Sequence, residues 1–250
     1  MTDVLLIHGA WQGGWVWDAV APPLRDAGFA PHAVDLPGSA PDVTDRASVT
    51  FADQVAFLEE FVAGLDGPFL VVAHSGGGLA ASQLAENMPE RVGGIVYVAG
   101  MMLPDGTKFT EIAQSCRADD PTASGIWSLL EHGEGTTSVP EAAALEIFYH
   151  DCDPAAARAA AARLTPQSNA ARDVAPHVTA RCFGRVPRIY IEASKDRSVV
   201  PSVQRRMREL MPGASVRRIE TGHAPMLADP VTLSAMLVDA LRQLAEGAVS

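Results

Sequence analysis

Short aliphatic runs alternate along this chain with segments of helical spacing, and that alternation limits its fold more than any other feature. Val4–Ile7, Pro31–Leu36, Phe69–Ala73, Arg91–Ala99, Pro187–Ala193 and Ala214–Ile219 read as strands. Helices are expected at Trp15–Leu24, Phe51–Leu65, Leu79–Glu86, Val203–Met211 and Pro230–Leu244. In the second of these, Phe51, Val55, Leu58, Phe61, Val62 and Leu65 recur at three- and four-residue intervals, the spacing of a helix with one apolar face. The pattern implies an α/β fold with a mostly parallel central sheet and helices on both faces. In such a sheet all strand ends share one edge, so residues just past them gather there.

The third strand breaks into Val71-Val72-Ala73-His74-Ser75-Gly76-Gly77-Gly78, after which a helix begins. A serine at the apex of a strand, sharp turn, helix unit takes a strained backbone. Residues two before and two after it must then be small, so that strand and helix can approach. Ala73 and Gly77 meet that condition, although the first position of the usual G-x-S-x-G pattern holds alanine. Taken alone, the stretch fits a nucleophile or a serine capping a helix after a buried strand. The first strand leads into His8-Gly9-Ala10-Trp11-Gln12-Gly13-Gly14-Trp15. Its glycines let backbone amides come close to a ligand, yet neither the dinucleotide nor the phosphate-loop glycine pattern occurs. The amide of Ala10 is instead a candidate donor to an oxyanion.

A chain of 250 residues, 48% of them hydrophobic, can bury one large core. Nineteen Lys and Arg against 30 Asp and Glu leave a formal net charge of −11, which argues against nucleic acid or an anionic membrane as partner. No stretch approaches the roughly 18 consecutive apolar residues of a membrane span. The start Met1-Thr2-Asp3-Val4 lacks the basic opening of a secretory signal, so a cytoplasmic protein is expected, monomeric or homodimeric. Cys116, Cys152 and Cys182, odd in number and widely spaced, fit reduced thiols better than disulfides or a zinc site.

From Pro104 to about Gly184 the alternation lapses. Helical pieces follow one another at Lys108–Gln114, Ile126–Glu131, Pro140–Phe148 and Pro154–Leu164, with no strong strand. The expectation is a helical cap of residues 104–184 inserted in a core of residues 1–103 and 185–250, lying over the open end of the sheet. Phe109, Trp127, Leu130, Phe148 and Tyr149 are its candidate substrate contacts, most of them expected to be ordinary packing. His150-Asp151-Cys152-Asp153 has metal-ligating residue types, but adjacent side chains point in different directions, so a solvated turn is expected there. No metal or cofactor is expected. Asp196 follows the fifth strand and His223 the sixth, at the same edge as Ser75 and the Gly9–Gly13 turn.

With these residues in view, the chain resembles the α/β-hydrolases over essentially its full length. Within them it is similar to the small esterases related to plant hydroxynitrile lyases and methylesterases. The residues that carry the resemblance are His8-Gly9-Ala10-Trp11 with Gly14-Trp15, Asp35-Leu36-Pro37-Gly38, Ala73-His74-Ser75-Gly76-Gly77, Lys195-Asp196 and Gly222-His223. The order serine, acid, histidine is the family's. The resemblance implies a serine ester hydrolase with Ser75 as nucleophile, His223 as base and Asp196 orienting it, and the amides of Ala10 and Gly76 as oxyanion donors. Asp105 is a rival for the acid, because some relatives place it after the preceding strand. Asp229 reads as a helix cap. Trp11 and His74 flank the expected site as further candidate contacts, although His74 and His8 are expected chiefly to make structural hydrogen bonds. Ester and lactone carbonyls, including acyl-homoserine lactones and macrolactones, suit the same machinery. Hydroxynitrile lysis is a further alternative, but the hydroxyl and lysine of the lyase pattern are replaced by Gly9 and Ala224. A binder that captures a small ligand without catalysis is another.

Overall fold

A computed structural model describes residues 1–40 and 45–247. Among these, nine strands are numbered in chain order: β1 Thr2–Ile7, β2 Phe29–Val34, β3 Phe69–His74, β4 Val92–Val98, β5 Glu131–His132, β6 Thr136–Ser138, β7 Gln167–Ser168, β8 Arg188–Ala193 and β9 Ala214–Ile219. Six of them form one parallel sheet in the order β2-β1-β3-β4-β8-β9. Its register sets Ile7 beside Ala73, Ala73 beside Tyr97, and Tyr97 beside Tyr190.

The near-continuous apolar runs of the inner strands follow from covering both faces of that sheet. Side chains alternate between two cores. Val4, Leu6, Leu70, Val72, Val96 and Val98 join Leu233, Leu237, Leu241 and Leu244 of the helix Pro230–Gly247. Leu5, Ile7, Val71, Ala73, Ile95 and Tyr97 face the helices Phe51–Ala63 and Gly77–Asn87. Each such aliphatic side chain withdrawn from water contributes about 1.5–3 kcal/mol. Phe51–Ala63 begins where Thr50 and Asp53 cap each other: the Thr50 hydroxyl accepts from the Asp53 amide at 3.2 Å, and the Asp53 carboxylate accepts from the Thr50 amide at 2.8 Å.

Several local expectations are corrected. In place of one helix over Trp15–Leu24, a 3₁₀ turn at Gly14–Trp17 precedes a helix at Ala21–Asp26. Pro22 and Pro23 lack amide hydrogens, so a helical ladder cannot run through them from the preceding turn. Pro31 sits in β2, an edge strand, where a missing donor is tolerated. Residues 41–44, within the polar stretch that separates β2 from the helix at Phe51, lie outside the described residues, and Arg46–Ser48 forms a 3₁₀ turn.

Between β4 and β8 the chain makes a helix at Phe109–Cys116, a 3₁₀ run at Pro121–Leu129 broken at Gly125 (φ 52°), a helix at Glu141–Ala143 that widens into a π turn over Ala144–Phe148, and helices at Pro154–Ala161 and Asn169–Arg172. It also carries an antiparallel sheet of β5, β6 and β7, where no strand was expected. Strands of two or three residues are too short to show an alternating pattern. Glu131, expected at a helix end, begins β5. No helix among the described residues is long and apolar enough to cross a membrane.

Candidate active site

The strand β3 ends one residue before Ser75, whose backbone is left-handed (φ 49°). For a residue bearing a Cβ this conformation is strained and persists only where its surroundings enforce it. Here the Ser75 carbonyl accepts from Met101 N at 2.8 Å and Gly78 N at 3.0 Å, and the Ser75 amide donates to Val98 O at 3.2 Å. The helix that follows presses against the end of β1. A Cβ on Gly77 would lie 2.4 Å from the His8 carbonyl oxygen, so only glycine lets the turn close.

Two loops converge on the serine from farther along the chain. His223, in the loop after β9, has Nε2 3.0 Å from Ser75 Oγ and donates through Nδ1 to Asp196 Oδ2 at 2.7 Å. Asp196, in the loop after β8, is fixed in turn: its Oδ1 accepts from Ser198 N at 2.7 Å and Val199 N at 3.0 Å. Ser75, Asp196 and His223 are all buried. A carboxylate that only accepts at Nδ1 leaves the Nε2 lone pair free for the serine proton, the tautomer a general base needs.

His8 and His74 flank this arrangement and make structural bonds. His8 accepts from Leu36 N through Nε2 at 3.0 Å and lies 2.8 Å from its neighbour's carbonyl, Gly9 O, through Nδ1. His74 Nε2 donates to the His223 carbonyl at 2.7 Å, and its Nδ1 lies 3.0 Å from Gln12 Oε1. Burial holds His8 below the usual imidazole range, and burial with the adjacent His223 ring holds His74 well below it, so both rings are neutral near pH 7.

The turn after β1 reaches the serine from the other side. A Cβ built on Gly76 would lie 3.4 Å from Ala10 N, and neither the Ala10 nor the Gly76 amide donates to another group among the described residues. Above them opens a small cavity, partly open to solvent. Ser75, Gly76, Ala10, Trp11, Leu79, Met101, Ile126 and Trp127 line it.

Of the seven side chains expected to contact substrate, Trp11 and Trp127 therefore face the cavity. His74 is wholly buried behind His223. Phe109 stacks on Trp127 with ring centroids 5.9 Å apart, Phe148 packs between Trp11 at 6.1 Å and His223 at 5.1 Å, and Tyr149 lies against Phe148. Leu130 is buried in the same apolar cluster as Trp11. Asp105, the rival acid, instead meets His177 Nδ1 at 2.8 Å on the surface. Asp229 caps the last helix through Thr232 N at 3.0 Å.

The 150–153 stretch divides its labour. Asp153 caps the helix after it, and Asp151 Oδ2 accepts from Gly222 N at 2.5 Å, bracing the loop of His223. No cluster of three or more His, Cys, Asp or Glu suited to a metal occurs among the described residues. Sequence reasoning missed Gln12, Gln167 and Arg172. Gln12 carried a signal, standing inside the glycine-rich turn. The other two lie in the irregular segment, where no periodicity marks a facing side.

Comparison with known proteins gives the chain a family. Residues 4–235 match the model of the alpha/beta hydrolase family. A pyrethroid hydrolase of Sphingobium wenxiniae is 27% identical over 245 residues, covering 96% of this chain and 87% of that protein. Methylesterase 7 of Arabidopsis thaliana is 30% identical, covering 94% of each. Among solved structures, the crystal structure of a pyrethroid hydrolase from Sphingobium faniae superimposes with a TM-score of 0.83 at 26% identity, covering 98% of this chain and 99% of that one. The sheet, the turn at Ser75 and a family match over most of the length lead to one conclusion: the chain belongs to the alpha/beta hydrolase family.

Proposed function

We propose that this chain is a carboxylic ester hydrolase that works through an acyl-enzyme on Ser75. An alcohol is a weak nucleophile near pH 7, so His223 takes the serine proton as Oγ attacks the ester carbonyl. Asp196 orients the ring and stabilises the imidazolium that results. The amides of Ala10 and Gly76 meet the charge that collects on the carbonyl oxygen. His223 then protonates the departing alkoxide, and a water activated by the same ring releases the acid. Residues 104–184 act as the cap, contributing Ile126 and Trp127 to a pocket whose walls suit an apolar acyl or aryl chain of small to medium size.

One observation carries this reading: Ser75 Oγ, His223 and Asp196 stand in hydrogen-bonding sequence, at 3.0 and 2.7 Å, with Ser75 lining a cavity and the other two buried behind it. The pyrethroid hydrolase and methylesterase names of its relatives support the reaction class. Hydrolysis is favoured over cyanohydrin cleavage because the position after His223, a lysine in the lyase pattern, is buried Ala224.

A fluorophosphonate probe should label the native chain at Ser75, and p-nitrophenyl butyrate should be cleaved. Ser75→Ala should lose the label and at least about a thousandfold in kcat. An unlabelled native protein, or an alanine variant that keeps its rate, overturns the proposal. So does faster release of benzaldehyde from mandelonitrile than cleavage of the ester.

A further inference from the structure

Arg172, at the end of the helix Asn169–Arg172, lines the cavity above Ser75, and no carboxylate among the described residues lines it with it. Its guanidinium carbon lies 4.2 Å from the Trp127 ring centre and 5.5 Å from that of Trp11, so the group rests against both indoles, which also touch each other edge to face. Nη2 donates to Asn169 Oδ1 at 3.2 Å. Nε and Nη1 are enclosed and have no acceptor among the described residues. Asp173, the next residue, meets Lys108 at 3.4 Å and acts on Arg172 only through its field. Burial pushes the guanidinium down to about 10, against a smaller raising by Asp173.

Enclosed donors without acceptors are unfavourable, and an enclosed cation without a counter-charge more so. A hydrophobic residue would pack against the two indoles at no such penalty. Guanidinium instead offers adjacent pairs of N–H groups, the geometry a carboxylate accepts best.

We propose that Arg172 determines specificity by pairing with an ionised carboxylate carried by the substrate, so that the preferred ester is a half-ester of a dicarboxylic acid. The ester carbonyl sits at Ser75, the free carboxylate at Arg172, and the apolar walls hold the carbon chain between them. The inference deepens the hydrolase proposal and rests on it for the ester end. The carboxylate end stands on Arg172 alone.

The test separates the two. The Ser75→Ala protein and its Ser75→Ala/Arg172→Met counterpart are titrated calorimetrically with monomethyl succinate, glutarate and adipate, and with the neutral methyl esters of butyrate, pentanoate and hexanoate. At least one half-ester should be preferred over its neutral partner by the first protein, and Arg172→Met should lower that preference roughly 10- to 100-fold. Arg172→Lys should recover part of it. In the active enzyme the same ratio should fall through KM rather than kcat. Equal weakening toward charged and neutral esters marks Arg172 as packing and overturns the inference, as does a wild-type preference for every neutral ester. Half-ester binding intact in a protein whose Ser75 resists the fluorophosphonate sinks the hydrolase proposal and leaves the carboxylate site standing.

Discussion

At the scale of single residues, Asp196 is constrained on both oxygens, and that decides what its amide would do. Ser198 N and Val199 N both donate to Oδ1, while Oδ2 faces His223. In Asp196→Asn the side-chain oxygen stays with the two backbone amides, and the NH₂ group turns toward the imidazole. His223 must then accept at Nδ1 and carry its proton at Nε2, where it cannot take one from Ser75. The expected result is a fold unchanged by circular dichroism and a kcat for p-nitrophenyl butyrate lowered by roughly 10³- to 10⁴-fold. A loss under tenfold contradicts the assigned roles. That these three share one edge was legible in the sequence, because each stands just past an aliphatic run of a parallel sheet; their proposed roles came from the family resemblance.

At the scale of elements, the contact between the helix after Ser75 and the end of β1 fixes how near the turn after β1 comes to the serine. Gly77→Ala forces a methyl group toward the His8 carbonyl, which is backbone and cannot swing aside. The helix must shift outward, with a destabilisation of about 1–3 kcal/mol, measured as a lower urea midpoint, and a loss of kcat greater than that of KM. Unchanged stability and rate would show that the close approach is dispensable.

Sheet order and the long helices were readable because burial on two faces writes long apolar runs and regular spacing into the chain. The segment between β4 and β8 was not. Its 3₁₀ and π turns and its strands of two or three residues bury scattered side chains, so neither period develops over enough residues to be seen. The same reason hid which aromatics face the cavity: Phe109 and Phe148 support Trp127 and Trp11 from behind.

The whole molecule joins that segment to the sheet through shared apolar clusters: in one, Ile126, Leu130, Phe148 and Ala157 pack with Val16, Leu70 and Val98, and in another Val178 and Phe183 pack with Val71 and Tyr97. A cooperative unit of this kind registers the protonation of any group it buries. His8 and His74 are both held below their ordinary value of 6.5, so below that pH the unfolded chain binds more protons than the folded one. Stability therefore rises with pH through this window and is lost on acidification, by up to about 1.4 kcal/mol per histidine per pH unit until the folded ring titrates. The urea midpoint should be lower at pH 5.5 than at pH 7.5, and His74→Gln should narrow the gap. An unaltered gap would place the acid sensitivity elsewhere.

Trp11 ties chemistry to the movement of this roof. Its backbone is left-handed (φ 61°) right beside the Ala10 amide, and its indole nitrogen donates to Thr137 O at 3.1 Å in β6. Its own amide donates to Gln167 at 3.2 Å in β7. Lifting those short strands to admit a bulky molecule would drag the tryptophan and misalign the donor next to it. On the proposed mechanism, an ester would then be cleaved only while β6 and β7 hold Trp11, and with it the Ala10 amide, in place.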